Sequence, residues 1–206
     1  MEQEIQDISI QRIQEAIPHL QGIDNELIID YTEYTMPNDK HPIHRYPIRF
    51  DGLYIGLREK GKARFSINLK EFEVGANDLV ICSPDDLVQA TLQNDNHLVQ
   101  SMVVSSHFLK EMYISLNSFM PFFAARKDHP VFHLTDDEVK ELKSYFMLIK
   151  ENVVSDDYFR LDTTKRLLAA YLYKLGSILY RHRPELQAEA SKPLKREEIL
   201  FKEFIR

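Results

Sequence analysis

The residues that break regular structure are crowded into one half of this chain. Five of the six glycines (Gly22, Gly52, Gly56, Gly61 and Gly75) precede residue 76, and Pro18, Pro37, Pro42, Pro47 and Pro84 fall in the same half. From residue 131 to 183 there is no proline and a single glycine, Gly176. Turn residues at short intervals mark strands, and long stretches without them mark helices. The sequence therefore predicts strands first and helices after, an α+β order.

Ile5, Ile8, Ile13 and Ile17 at near-helical spacing, closed by Pro18, predict a short N-terminal helix. Extended segments are predicted over 26–35, 46–50, 53–59, 65–69, 71–74, 79–82, 87–92 and 98–104. In the third, Leu53, Ile55 and Leu57 share one face and Tyr54 and Arg58 the other; Phe65, Ile67 and Leu69 alternate with Arg64, Ser66 and Asn68. About eight short strands in about 80 residues predict an antiparallel barrel or a double-sheet jelly roll. After them, Ser105 or Ser106 is placed to cap a helix through Phe108, Leu109, Met112 and Leu116. Thr135 and Glu138 form a T-x-x-E capping box. Leu142, Tyr145, Phe146, Ile149 and Val153 follow as an apolar stripe. A second start near residues 155–157 leads into another long helix ending at Arg181, His182 and Arg183 and stopped by Pro184. The short connection makes the two an antiparallel hairpin. Residues 185–193 read as a linker, and 195–206 as a helix that stops in mid-pattern, as if cut inside a following domain.

Several functions are argued against. The longest apolar run, 119–125, is interrupted by Pro121, whereas a membrane span needs about 20 apolar residues. The acidic start (Glu2, Glu4, Asp7) is no secretory signal. The single cysteine, Cys82, forbids an internal disulfide and fits a reducing cytoplasm. With 26 Lys and Arg against 32 Asp and Glu, the net charge of −6 argues against a free-standing nucleic-acid binder. Ser105, Ser106 and His107 are neighbours in sequence, which a catalytic triad does not require and a helix cap explains. The acid pairs Asp85–Asp86, Asp136–Asp137 and Asp156–Asp157 read as turn and helix-start residues, and Cys82 as buried packing. No catalytic residue is therefore assigned, and the expectation is a protein that is not an enzyme.

The stretch Pro47-Ile-Arg-Phe-Asp-Gly-Leu-Tyr-Ile-Gly-Leu-Arg-Glu-Lys-Gly61 resembles the opening strands of the cupin sensor domain of AraC-type transcriptional regulators. The stretch from Phe65 to Pro84, with Gly75 and Asp78 before its apolar strand, is similar to that family's next hairpin and strand. The terminal 195–206 segment is similar to the lead-in to the family's first DNA-domain helix. The resemblance implies a cupin-like antiparallel β-barrel (a jelly roll) with an N-terminal helix over 1–106 as the ligand-sensing part. It implies a helical dimerisation region over 107–184, and over 185–206 a linker and the start of a truncated helix-turn-helix domain. The implied function is effector sensing and homodimerisation, with DNA bound only through the absent C-terminal domain.

Matched to the family's strands, the face carrying Ala90, Gln100 and Met102 is the ligand-facing one, and Tyr46 and Arg49 stand where a polar ligand contact is often placed. Tyr31 and Tyr54 are added because tyrosine offers both a stacking face and a hydroxyl. Core packing or a surface salt bridge is the alternative for each. A sugar or an aromatic metabolite would suit such walls. On the last long helix, Leu168, Leu172, Leu175 and Leu179 form a stripe that Tyr171 and Ile178 widen beyond what one core-facing helix needs. The resemblance assigns that surplus to the dimer. A metal-dependent small cupin enzyme is the alternative. It would need His41, His44 and His97 as ligands, but the histidine-rich spacing of metal cupins is missing from Leu53 to Lys60, so neither metal nor cofactor is expected.

Overall fold

In the computed structural model, residues 6–17, 19–34, 46–49, 51–84, 86–93, 96–112 and 129–182 are described. The elements are β1 (Gln6–Asp7), α1 (Ile10–Ala16), β2 (Gln21–Ile23), β3 (Leu27–Tyr34), β4 (Ile48–Arg49), β5 (Gly52–Lys60), β6 (Ala63–Ile67), β7 (Lys70–Val74), β8 (Asp78–Cys82), β9 (Val88–Leu92), β10 (His97–Ser105), α2 (Ser106–Glu111), β11 (Val131–His133), α3 (Asp136–Val153) and α4 (Arg160–His182).

Alternation along β5 sets the layering. Leu53, Ile55 and Leu57 join Leu27 and Ile29 of β3, Met102 and Val104 of β10, and the apolar faces of α3 and α4 in one buried cluster. From the opposite face, Ile28, Tyr54, Val80, Cys82 and Val103 join Ile48, Phe65, Val88 and Ala90 of the facing sheet, together with Ile13 of α1. The result is three layers: a five-stranded sheet, a six-stranded sheet and the helical pair. The middle layer is buried on both sides, which is why β5 is covered from Gly52 to Arg58.

The expected barrel does not form. The strands make two separate sheets, in the orders β1-β4-β9-β6-β7 and β11-β8-β5-β10-β3-β2, and neither closes. Pairing is antiparallel except between β1 and β4, which run parallel. The physical reason lies at the edges. Closure would require β8 to bond β7, its predecessor in sequence, but the free edge of β8 is taken by β11 (Val131↔Val80). At the other end the free edge of β3 is taken by β2 (Gln21↔Ile29). Three-residue strands fill the positions that a barrel would use to join its two halves. A second correction concerns Leu69, expected to continue the alternation of Phe65 and Ile67 in an extended segment. It lies with Asn68 in the two-residue loop between β6 and β7, both at positive φ, and is 84% exposed.

The helical pair follows the sequence closely. Ser105 caps α2, its Oγ accepting from the Phe108 N–H at 2.9 Å. The Thr135–Glu138 box is complete, with Glu138 N–H to Thr135 Oγ1 at 3.3 Å and Thr135 N–H to Glu138 Oε2 at 3.0 Å. Asn152 near the end of α3 donates to Arg160 O and Thr164 Oγ1 at the start of α4. At the far end, Arg181 and His182 of α4 reach Glu138 of α3 at 3.3 and 2.8 Å, so the helices run antiparallel. Leu116, Asp85, the linker at 185–193 and the segment at 195–206 lie outside the described residues.

Candidate functional site

The six-stranded sheet is apolar along most of its length and polar at one end. There β3, β5 and β10 lie side by side, with Gln100 directly opposite Leu57 on one flank and Tyr31 on the other. The register between β10 and β5 slips just beyond this point. Leu98 faces Lys60 whereas Val99 faces Arg58, which leaves Glu59 as the extra residue of a bulge. A bulge bends its strand and re-aims the side chain it carries. Here the Glu59 carboxylate accepts from Gln100 Nε2 at 2.6 Å and holds Lys143 Nζ of α3 at 2.7 Å. The sheet is thereby tied to the helix by a charged strut.

Around the strut, Tyr31 meets Phe146 of α3 edge-on, with ring centroids 6.0 Å apart. Two ammonium groups lie over the same tyrosine, Lys143 Nζ at 5.0 Å and Lys150 Nζ at 5.4 Å from the ring centroid. Burial works against the charge on Lys143, but the Glu59 carboxylate and the Tyr31 hydroxyl outweigh it and hold its pKa above the ordinary lysine value. Gln100 is 3% exposed. Its Oε1 is buried without a hydrogen-bond partner among the described residues.

The opposite face of the same sheet end carries a second polar group. Arg58 and His97 are both buried, and Arg58 Nη1 lies 2.9 Å from His97 Nδ1 and 3.4 Å from Lys60 O. Side-chain alternation puts Arg58 on the side of Tyr54, toward the five-stranded sheet.

The structure divides the predicted ligand residues. Tyr31 and Gln100 are neighbours in register and belong to the polar end. Met102 is on their side of the sheet but sits deep in the apolar core against the helices. Ala90 and Tyr54 are buried in the other cluster, between the two sheets. Tyr46 is 47% exposed, and Arg49 is half-buried on β4. The face assigned to the ligand by matching strands thus mixes residues of two sheets, Gln100 and Met102 on the six-stranded one and Ala90 on the five-stranded one.

All six residues assigned to the dimer, Leu168, Tyr171, Leu172, Leu175, Ile178 and Leu179, are 0–2% exposed inside this chain. Their wide stripe is used up by two partners within the molecule, α3 and the sheet. For Tyr171, burial alone raises the phenol pKa far above its ordinary value. The outer face of α4 carries Arg166, Tyr173 and Ser177 exposed, and Ala169, Ala170 and Gly176 half-buried.

The capping reading of Ser105 fits its contacts. Its Oγ donates to the Glu26 carboxylate, and His107 Nδ1 lies 3.2 Å from the same carboxylate, so serine and histidine both address glutamate. Ser106 donates to Asp51 at 2.6 Å. Asp86 closes a turn by accepting from the Ser83 N–H, and Asp136 accepts from Asn77. Among the described residues no group of three His, Cys, Asp or Glu side chains is arranged to hold a metal ion. His41 and His44 lie outside the described residues.

Sequence reasoning missed Glu59, Lys143 and Lys150. The bulge leaves no mark in the pattern of apolar residues. The lysines did leave one, since they stand seven apart and Phe146 lies between them on the same side of the helix.

No protein-family model matches the chain, and no curated protein matches it. Among solved structures, the chain is similar to an apo ToxT variant from Vibrio cholerae, with TM-score 0.47 and 10% identity over 88% of this chain and 72% of that one. It is similar to the AraC-like transcriptional activator CuxR, with TM-score 0.41 and 16% identity over 87% of this chain and 67% of that one. A cupin 2 conserved barrel domain protein from Leptotrichia buccalis is similar over 42% of this chain and 39% of its own, with TM-score 0.34 and 11% identity. These are distant likenesses, to AraC-type regulators over most of the chain and to cupin proteins over a smaller part.

Proposed function

We propose that this chain is the sensing and dimerising part of an AraC-type transcriptional regulator, and that it binds a small-molecule effector at the polar end of the six-stranded sheet. The observation that carries this reading is the Gln100–Glu59–Lys143 strut. It places a buried polar group on the sheet in direct connection with the helix that packs over it. The motifs from Pro47 to Gly61 and from Phe65 to Pro84 support the same reading.

The function is binding rather than catalysis. An effector held against Tyr31 and Gln100 shifts the balance between two positions of α3 and α4 on the sheet, and so alters how the segment after His182 leaves the molecule. The shift equals the difference in effector affinity between the two positions; equal affinity for both switches nothing. DNA is read by a domain beyond residue 195, and the protein works in the cytoplasm. Aromatic walls suit a sugar or an aromatic metabolite. The second copy docks on the outer face of α4, where Ala169, Ala170 and Gly176 allow close approach around Tyr173. Exposed Asp156, Asp157 and Asp162 at one end and Arg181 at the other are opposite in charge, so two copies of α4 paired antiparallel bring the acidic end of each to the basic end of the other.

A thermal-shift screen of the chain against sugars, aromatic acids and common metabolites, with and without divalent metal, tests the reading. A rise in melting temperature with a small molecule, independent of metal, is the expected result. Stabilisation only in the presence of metal contradicts it.

A further inference from the structure

Two unmet requirements flank Tyr31. The first is an anion. Lys143 is neutralised by Glu59, but the half-buried Lys150 has no carboxylate within ion-pair distance among the described residues and lies over the face of the Tyr31 ring. The second is a hydrogen-bond donor. Gln100 uses its amide N–H on Glu59, which fixes the amide's orientation and leaves Oε1 buried with no partner among the described residues. A buried acceptor left unpaired is costly, and native proteins seldom retain one without a reason. Gln100 and Tyr31 are directly opposite in the β10–β3 register, so both requirements converge on one strand pair.

The surrounding charges narrow the chemistry further. With Glu59 paired to Lys143, only the charge of Lys150 is left to balance, which favours a single negative charge over a dicarboxylate or a phosphate dianion. The two ammonium groups over Tyr31 disfavour a donor that is itself an ammonium. A neutral hydroxyl beside a single carboxylate satisfies every group present. Tyr31 and Phe146, edge to face, offer a wall for a flat ring.

Resting on the effector reading above, we propose that the layer between the sheet and α3 binds a small monoanionic hydroxycarboxylate. Its carboxylate meets Lys150, its hydroxyl donates to Gln100 Oε1, and its body packs on Tyr31. The ligand therefore lies between the sheet and the helical pair rather than between the two sheets.

Calorimetric titration of the whole chain with 3-hydroxybenzoate, lactate, benzoate and 3-hydroxybenzyl alcohol tests this. 3-Hydroxybenzoate and lactate supply both groups, benzoate lacks the hydroxyl, and 3-hydroxybenzyl alcohol lacks the charge. 3-Hydroxybenzoate, whose meta hydroxyl cannot bond to its own carboxylate, is expected to bind about tenfold more tightly than benzoate, the scale of one hydrogen bond to a buried acceptor. Lys150→Gln should weaken 3-hydroxybenzoate about tenfold or more and leave 3-hydroxybenzyl alcohol unchanged. Gln100→Leu should erase the preference for 3-hydroxybenzoate over benzoate. If that buried variant does not fold, the ligand series on the parent chain and the half-exposed Lys150→Gln variant decide alone. Failure of both hydroxycarboxylates to bind, or binding indifferent to Lys150→Gln, overturns the proposal. A compound from the wider screen that stabilises parent and Lys150→Gln alike overturns this site and leaves the effector reading standing. A screen with no stabilising compound of any class removes both.

Discussion

Gly56 has no side chain because the Tyr54 phenol lies where one would go: a Cβ built there would come within 2.8 Å of Tyr54 Cζ and closer still to its hydroxyl. Gly56→Ala forces the buried tyrosine out of place between the two sheets. It should cost about 1–3 kcal/mol, the range for overpacking a filled core, read as a lower midpoint in urea. Combining it with Tyr54→Leu should restore part of the loss, because the two side chains compete for one space. Period-two alternation correctly placed Tyr54 and Arg58 opposite Leu53, Ile55 and Leu57. Tyr31, a candidate for its phenol, and Gln100, a candidate from the family's strands, are neighbours in register. What alternation does not carry is absolute direction. On β10, Gln100 and Met102 point to the helices, whereas Ala90 belongs to β9 of the other sheet and points between the two; periodicity says neither which sheet a strand joins nor which of two buried faces a residue takes.

At the scale of elements, the capping box shows how much a local signal can hold. Thr135 and Glu138 were legible as a helix start because the chemistry is short-range. The same Glu138 also receives Arg181 and His182 from the end of α4, a contact across 43 and 44 residues that no local pattern announces. Burial raises the Glu138 pKa, but the Thr135 N–H, His182 and Arg181 outweigh it and hold the group below the ordinary carboxylate value. A carboxylate depressed on folding stabilises the folded state above its unfolded pKa, and that contribution is lost as pH falls through the folded value. Glu138→Gln should therefore cost about 1 kcal/mol near neutral pH. The gap from the parent chain should close in acid, as followed by urea unfolding at a series of pH values.

The width of the α4 stripe was legible, but its use was not. A helix packed against both a sheet and another helix needs apolar residues on two flanks, and sequence does not separate an internal partner from an external one. A contrast between two neighbours decides the matter. Leu172→Ala should destabilise the chain by about 2–5 kcal/mol, the range for a buried leucine. Tyr173→Glu, on a residue 46% exposed, should leave stability nearly unchanged and shift sedimentation from dimer to monomer.

For the whole molecule, the order of strands before helices followed from where glycine and proline fall, but the closure of the sheets did not. Whether two sheets join is decided at their edges, and here β2 and β11 decide it with three residues each. Segments so short carry no period to detect, so the strand count suggested a barrel. This bears on the proposed effector site. Because the six-stranded sheet is the middle layer, a ligand at its polar end touches the helical pair without passing through a barrel wall. Hydrogen–deuterium exchange of the chain, with and without a stabilising metabolite from the screen, tests this coupling most directly. The account predicts slower exchange together in Leu27–Tyr34, His97–Ser105 and Asp136–Val153, the segments joined through Tyr31, Gln100 and Lys143. Protection confined to the five-stranded sheet, with α3 unchanged, would contradict it.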